Sequence, residues 1–191
     1  SAWVDSATLA APVWLPGRGR YTARLSMDVL LLVGLILLNG VFAMTEMALT
    51  ASRKARLAVM VEAGDAGAQR ALDLHEHPTK FLSTVQIGIT SIGILNGIVG
   101  EAAFSEPLAA WLAKTLDMHA QWARWSATGL VVVIITFLTI IFGELVPKRI
   151  GQMYPEAVAR VVARPMEWLS IGTRPFVRLL SFCTEGTLRL L

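Results

Sequence analysis

The chain has 191 residues, 54% hydrophobic and 16% charged, where soluble globular chains carry roughly 25% charged residues. That balance excludes an ordinary soluble enzyme, and a net charge of +3 scattered over 17 Lys and Arg, with two Tyr for stacking, gives no nucleic-acid footprint. The single Cys183 excludes an intramolecular disulfide, and with three His it cannot close a Cys/His zinc site.

In chain order, residues 1–24 are rich in Ala, Pro and Gly, show no sustained period, and read as a loose external lead. Residues 25–191 read as one all-α integral membrane domain, because three stretches approach the ~20 apolar residues that a spanning helix needs. The first runs from Val29 to Thr45 between Asp28 and Glu46. It lacks the small-residue pattern of a signal-peptide cleavage site and is taken as a retained helix. The second runs from Phe81 to Gly100, between Lys80 and Glu101. The third runs from Trp125 to Gly143, with Trp122 and Trp125 at the interfacial level.

Between the first two spans, Ser52 to His77 is good helix-forming sequence broken at Gly64 and Gly67, which predicts a helical hairpin. Its His75-Glu76-His77 run has no helical ligand spacing and makes a poor metal site. After span two, Leu108, Trp111, Leu112 and Leu116 share one face and predict a separate amphipathic helix on the outer membrane surface. In the tail from Tyr154, charges interrupt every 20-residue window, and Pro155, Pro165 and Pro175 predict short helices lying as a belt on the inner membrane face. The pattern is still running at Leu191, which suggests a following domain. Basic residues number seven in the tail and five in the 51–80 loop, against three in the lead and two between spans two and three. That bias predicts an outside N-terminus and a cytoplasmic C-terminus.

Acidic groups at membrane depth are costly and mark ion paths or cavities. Asp28 and Glu101 sit at outer span ends and read as interfacial carboxylates. Glu46 lies about two turns inside the boundary set by Arg53, and Asn39, seven residues earlier, shares its face. Glu144 precedes Pro147, whose missing N–H frees the carbonyl of Gly143 beside the carboxylate. Either these oxygens form a broken-helix cation site, or Pro147 kinks the helix and Glu144 pairs with Lys148 at i+4. In span two, Gly93 and Gly97 form a small-residue packing face.

Three motifs in this order resemble the transmembrane domain of the CNNM/CorC family: Asn39-Gly-Val-Phe42-Ala-Met-Thr45-Glu46-Met-Ala48, Gln86-Ile-Gly88-Ile, and Gly143-Glu144-Leu-Val-Pro147-Lys148. The resemblance implies a homodimer with three spans and a juxtamembrane belt per protomer, in a bacterial inner membrane. It also implies a cytoplasmic CBS-domain pair that binds ATP, and transport of Mg2+ or Co2+ with Na+ as coupling ion. In the family, Mg2+ is held by a serine of the first motif, an asparagine of span two and the glutamate of the third. Glu144 and Pro147 match that pattern. The serine reads Ala43 here, the asparagine reads Ile89, and a further family asparagine falls at Gly93.

The candidate cation site is therefore Glu144, Glu46, Thr45, Asn96 and the carbonyl of Gly143, with Pro147 as helix breaker. A dehydrated Mg2+ wants about six oxygens at roughly 2.1 Å, so two lost ligands matter. The substituted pattern resembles the haemolysin-like branch, connected with export of polyamines such as putrescine and cadaverine, whose diammonium charge two carboxylates suit equally well. Two functions stand: a cation exporter for Mg2+, Co2+ or a polyamine, or a membrane anchor and dimeriser that regulates another transporter. No catalytic constellation supports an enzyme.

Overall fold

A computed structural model describes residues 18–76 and 78–190. They form α1 (Arg18–Ala51), α2 (Lys54–Glu62), α3 (Ala66–Glu76), α4 (Pro78–Thr115), α5 (Ala120–Ile140), a π-helical turn (Ile141–Leu145), α6 (Val146–Met153) and α7 (Pro155–Leu190). Three segments are long and apolar enough to cross a membrane: Leu25–Ala51, Phe81–Thr115 and Ala120–Met153. Large apolar side chains such as Leu30, Leu37, Ile98, Val133 and Phe137 face outward from all three. Outward apolar faces on long helices are the arrangement of an all-α membrane domain, since lipid is the solvent that accepts them.

Four boundaries differ from the sequence expectation. Helix α1 begins at Arg18, ahead of Leu25, and the rest of the predicted lead lies outside the described residues. The outer amphipathic helix is no separate element, because α4 carries straight through Pro107 to Thr115. Pro107 sits on an exposed face, while two residues away Ser105 Oγ and Thr128 Oγ1 share a 2.6 Å hydrogen bond that ties α4 to α5. The tail is one helix, with Pro165 and Pro175 inside it. The carbonyls these prolines orphan belong to Val161 and Ile171, both exposed, so the loss of two bonds does not end the helix. Pro147 does not break span three either: a π-helical turn and then α6 continue it.

The predicted hairpin is present, as α2 and α3. Gly64 at φ +88 makes the turn, and the Asp65 carboxylate caps α3, accepting from the N–H groups of Gly67 (2.8 Å) and Ala68 (3.1 Å). Its other oxygen accepts from Arg160 Nη1 of α7 at 3.0 Å. Hydrogen bonding from Ala68 first, then from Arg160 and Gly67, holds the Asp65 carboxyl below its ordinary 3.8, against the opposing effect of burial. Gly67 has no room for a side chain, because a Cβ there would meet the Arg160 backbone carbonyl.

The core has two apolar parts. The larger packs Phe42, Leu49, Leu57, Phe81, Val85 and Met166, from α1, α2, α4 and α7, around the hairpin. The smaller packs Leu32 and Ile36 of α1 against Val131 and Ile135 of α5. Along α1 the buried polar Asn39 lies between them, and the buried Thr45 lies within the stretch that builds the larger part. Among the glycines that let helices touch are Gly88, against the Phe42 ring, and Gly100, against Ile135. The predicted packing face of Gly93 and Gly97 meets nothing within 4 Å in the single chain.

Candidate functional site

The site grows from Pro147. In an α-helix the N–H of residue 147 would satisfy the Gly143 carbonyl, and proline has none to give. The chain answers with a π-helical turn, in which Val146 N–H reaches back to Ile141 O, and with a donor from another helix. Asn39 Nδ2 of α1 donates to Gly143 O at 3.0 Å, a buried bond across 104 residues of sequence. Two glycines make that approach possible. A Cβ on Gly143 would stand 3.1 Å from Asn39 Nδ2, and one on Gly40 would stand 2.9 Å from Pro147 Cγ. The carbonyl freed by Pro147 is thus real, and Asn39 takes it.

One residue on, the π-turn presents Glu144, and the next helical turn presents Lys148. Lys148 Nζ donates to Glu144 Oε1 at 2.8 Å, the i+4 pair that the sequence left as one of two alternatives. The same ammonium lies 3.4 Å from Glu46 Oε2 of α1, an ion pair without hydrogen-bond geometry, so this buried carboxylate oxygen accepts no hydrogen bond. Two carboxylates from two spans therefore share one lysine. All three side chains are partly exposed on the single chain, between 24% and 38%.

The other predicted ligands stand apart from this cluster. Thr45 is fully buried and its hydroxyl donates to Val41 O at 2.6 Å, spending its hydrogen on its own helix. Asn96 is 1% exposed, and neither its Oδ1 nor its Nδ2 has a hydrogen-bond partner. The antiparallel register that pairs Ser105 with Thr128 and Gly100 with Ile135, carried one turn further, sets Asn96 level with Thr139. Thr139 Oγ1 is also buried without a partner, as is Asn39 Oδ1. Unsatisfied buried polar atoms cost about 1–3 kcal/mol each. Ala43, where the family has its serine, is buried and offers no oxygen.

Beside Glu46, a groove of ≈ 850 Å³ runs between α1, α4 and α7. Glu46, Ser83, Gln86 and Thr90 are among its polar lining, interleaved on α4 with the apolar Leu82, Ile87 and Ile94, and α7 contributes Phe176 and Leu180. Among the described residues, no group of three or more His, Cys, Asp and Glu is arranged to hold a metal ion. Of the His75-Glu76-His77 run, His75 Nε2 shares a 2.8 Å hydrogen bond with Ser52 Oγ, and His77 lies outside the described residues.

Sequence reasoning missed Asn39 as the donor to Gly143 and Lys148 as the bridge between spans. The missing N–H of Pro147 was the available signal for the first: a buried carbonyl without a donor demands one, and Asn39 shares a helix face with Glu46.

Residues 30–191 match the cyclin M transmembrane N-terminal domain. The chain is 39% identical over 170 residues to a UPF0053 protein of Synechocystis, covering 89% of this chain and 38% of that protein. It is 36% identical over 163 residues to the polyamine export protein of Salmonella typhimurium, covering 85% of this chain and 36% of that one. With the polyamine export protein of Escherichia coli K12 it shares 37% identity over 150 residues, 78% of this chain and 33% of that one. The chain thus spans a little over a third of the length of the curated relatives it matches.

Proposed function

The chain belongs to the cyclin M transmembrane family, one of membrane transporter domains rather than enzymes, and we propose that it handles the cargo of a bacterial inner-membrane cation exporter. Glu144 and Glu46 are the cargo's carboxylate ligands, and the cargo is a linear diammonium such as putrescine or cadaverine. The observation that carries this reading is the carboxylate pair from two spans, already bridged by an alkylammonium, with one of the two, Glu46, lining a groove of mixed polar and apolar side chains. An ammonium takes such carboxylates in any direction its three donors allow. A diamine's methylene chain buries against Phe176 and Leu180 at about 0.8 kcal/mol per CH2.

Mg2+ or Co2+ is the second reading. It is favoured by the uncommitted oxygens Asn39 Oδ1 and Asn96 Oδ1, and opposed by Ala43 and Ile89, which offer no side-chain oxygen where the family has them. In either case Na+ is the candidate coupling ion, with the N-terminus outside and the C-terminus cytoplasmic by the distribution of Lys and Arg. A second copy is the natural occupant of the open Gly93 and Gly97 face, since small residues let membrane helices approach closely.

Thermal unfolding of the purified chain in detergent tests the assignment, with putrescine, cadaverine, Mg2+ and Co2+ added separately and Glu144→Gln alongside. A ligand at 100 times its dissociation constant stabilises by about 2.7 kcal/mol. A rise in Tm with diamines that Glu144→Gln abolishes is the expected result. A rise with Mg2+ or Co2+ alone moves the cargo to the divalent ion. No rise with any cation removes the transport reading and leaves the anchor and dimeriser.

A further inference from the structure

We propose that Lys148 is a tethered competitor for the carboxylate pair: its ammonium occupies Glu144 and Glu46 when no cargo is bound, and cargo enters by displacing it. This rests on the reading of those carboxylates as cargo ligands, and goes beyond it by giving the resting state its own occupant. The geometry supplies the motive. Nζ hydrogen-bonds one carboxylate at 2.8 Å and stands 3.4 Å from the other without completing a bond, so a single point charge serves two anions and satisfies one. Its head group is chemically that of a primary alkylammonium, so whatever site it leaves is shaped for one.

Charge arithmetic points the same way. Two carboxylates and one ammonium leave one negative charge, and with the lysine swung away they leave two, the complement of a divalent or diammonium cargo. The backbone that carries Lys148 is held where α1 packs at Gly40 against Pro147. The four-carbon stem beyond it is partly exposed and carries several rotatable bonds. Where this chain builds an ion pair for structure alone, at Asp65, it uses an arginine and gives the carboxylate backbone N–H donors as well.

Calorimetric titration of the intact chain in detergent with cadaverine, and separately with Mg2+, tests the displacement. Lys148→Met keeps the stem and removes the charge. It is expected to bind the cation that the wild type binds at least about tenfold tighter, because an apparent dissociation constant is the intrinsic one divided by the competent fraction. Lys148→Arg, whose fork grips carboxylates with paired N–H donors, is expected to bind more weakly. Binding that appears only in Lys148→Met also supports the proposal. Equal or weaker binding by Lys148→Met overturns it while leaving the cargo site standing, and absence of binding in the wild type and both variants overturns the two readings together. Should Lys148→Met fail to fold, amine labelling of the wild type, read by mass spectrometry, decides the matter. Saturating cation is expected to raise labelling at Lys148 and leave Lys54 and Lys114 unchanged; unchanged or reduced labelling at Lys148 overturns the proposal.

Discussion

Two corners of the molecule set a carboxylate against a cation from another segment, and they are built on opposite terms. At the hairpin corner, Asp65 accepts from two backbone N–H groups and from Arg160, and both its oxygens are engaged. At the intramembrane corner, Glu46 and Glu144 compete for one lysine, and Asn39 Oδ1 nearby accepts nothing. Surface ion pairs contribute little by themselves, so the first corner draws its strength from helix capping and close packing. The second leaves polar groups unsatisfied, a cost that a structural joint has no reason to bear and that the proposed cargo site would recover on loading. Completeness of hydrogen bonding thus separates the joint from the site.

The sharpest way to break the comparison is to damage the joint and watch the site. Gly67→Val places a Cβ against the Arg160 backbone carbonyl, which cannot rotate away, and is expected to cost about 3 kcal/mol. Its unfolding midpoint should fall, while the folded fraction keeps the wild-type response to cation. A lost cation response in the folded fraction would mean that the two corners are coupled and the division is wrong.

Asn39→Ala acts on the site instead. It strips the Gly143 carbonyl of its donor, and is expected to cost about 2 kcal/mol for the unsatisfied buried group. Because the same carbonyl sits in the turn that presents Glu144, cation affinity should fall as well. A variant that loses stability but keeps full affinity would make Asn39 a packing residue only.

Much of this was legible in the sequence, and the reasons for the rest are physical. The three spans and the hairpin follow from uninterrupted apolar runs and from Gly64, since composition and a positive φ are local properties. Glu144, Pro147 and the freed Gly143 carbonyl follow from one missing N–H. The continuity of α4 and α7 through Pro107, Pro165 and Pro175 was not legible. A proline orphans a carbonyl, but only the packed structure shows that the carbonyls of Val161 and Ile171 belong to exposed residues where the loss is tolerated. The sharing of Lys148 between Glu144 and Glu46 was hidden for a different reason. The i+4 pair is local, but the contact with Glu46 joins residues about a hundred positions apart and depends on the parallel packing of α1 along span three.

A milder perturbation sharpens the contrast at the joint. Asp65→Asn keeps the cap's shape and one acceptor but removes the charge that Arg160 meets. It is expected to lower the unfolding midpoint by less than Gly67→Val does, and to leave cation binding untouched. In the wild type the Asp65 carboxyl is held below 3.8, so its contribution is fully present above that pH and is lost as pH falls through the folded value. Asp65→Asn should therefore lack this acid-limb loss; an unchanged acid limb would assign the loss to other carboxylates.

The smallest expected effect lies at His75, on the same hairpin. Burial pushes its imidazole below the ordinary 6.5, and the charge of Lys54 adds to that. The fold therefore prefers the neutral ring, which shares its hydrogen bond with Ser52 Oγ. Below about pH 6.5 the unfolded chain takes up this proton more readily than the folded one, so the contribution is present above that pH and declines as pH falls toward the lowered value. Unfolding midpoints at pH 7.5 and 5.5 should differ more in the wild type than in His75→Gln, which cannot titrate. An equal difference would move the pH sensitivity off His75.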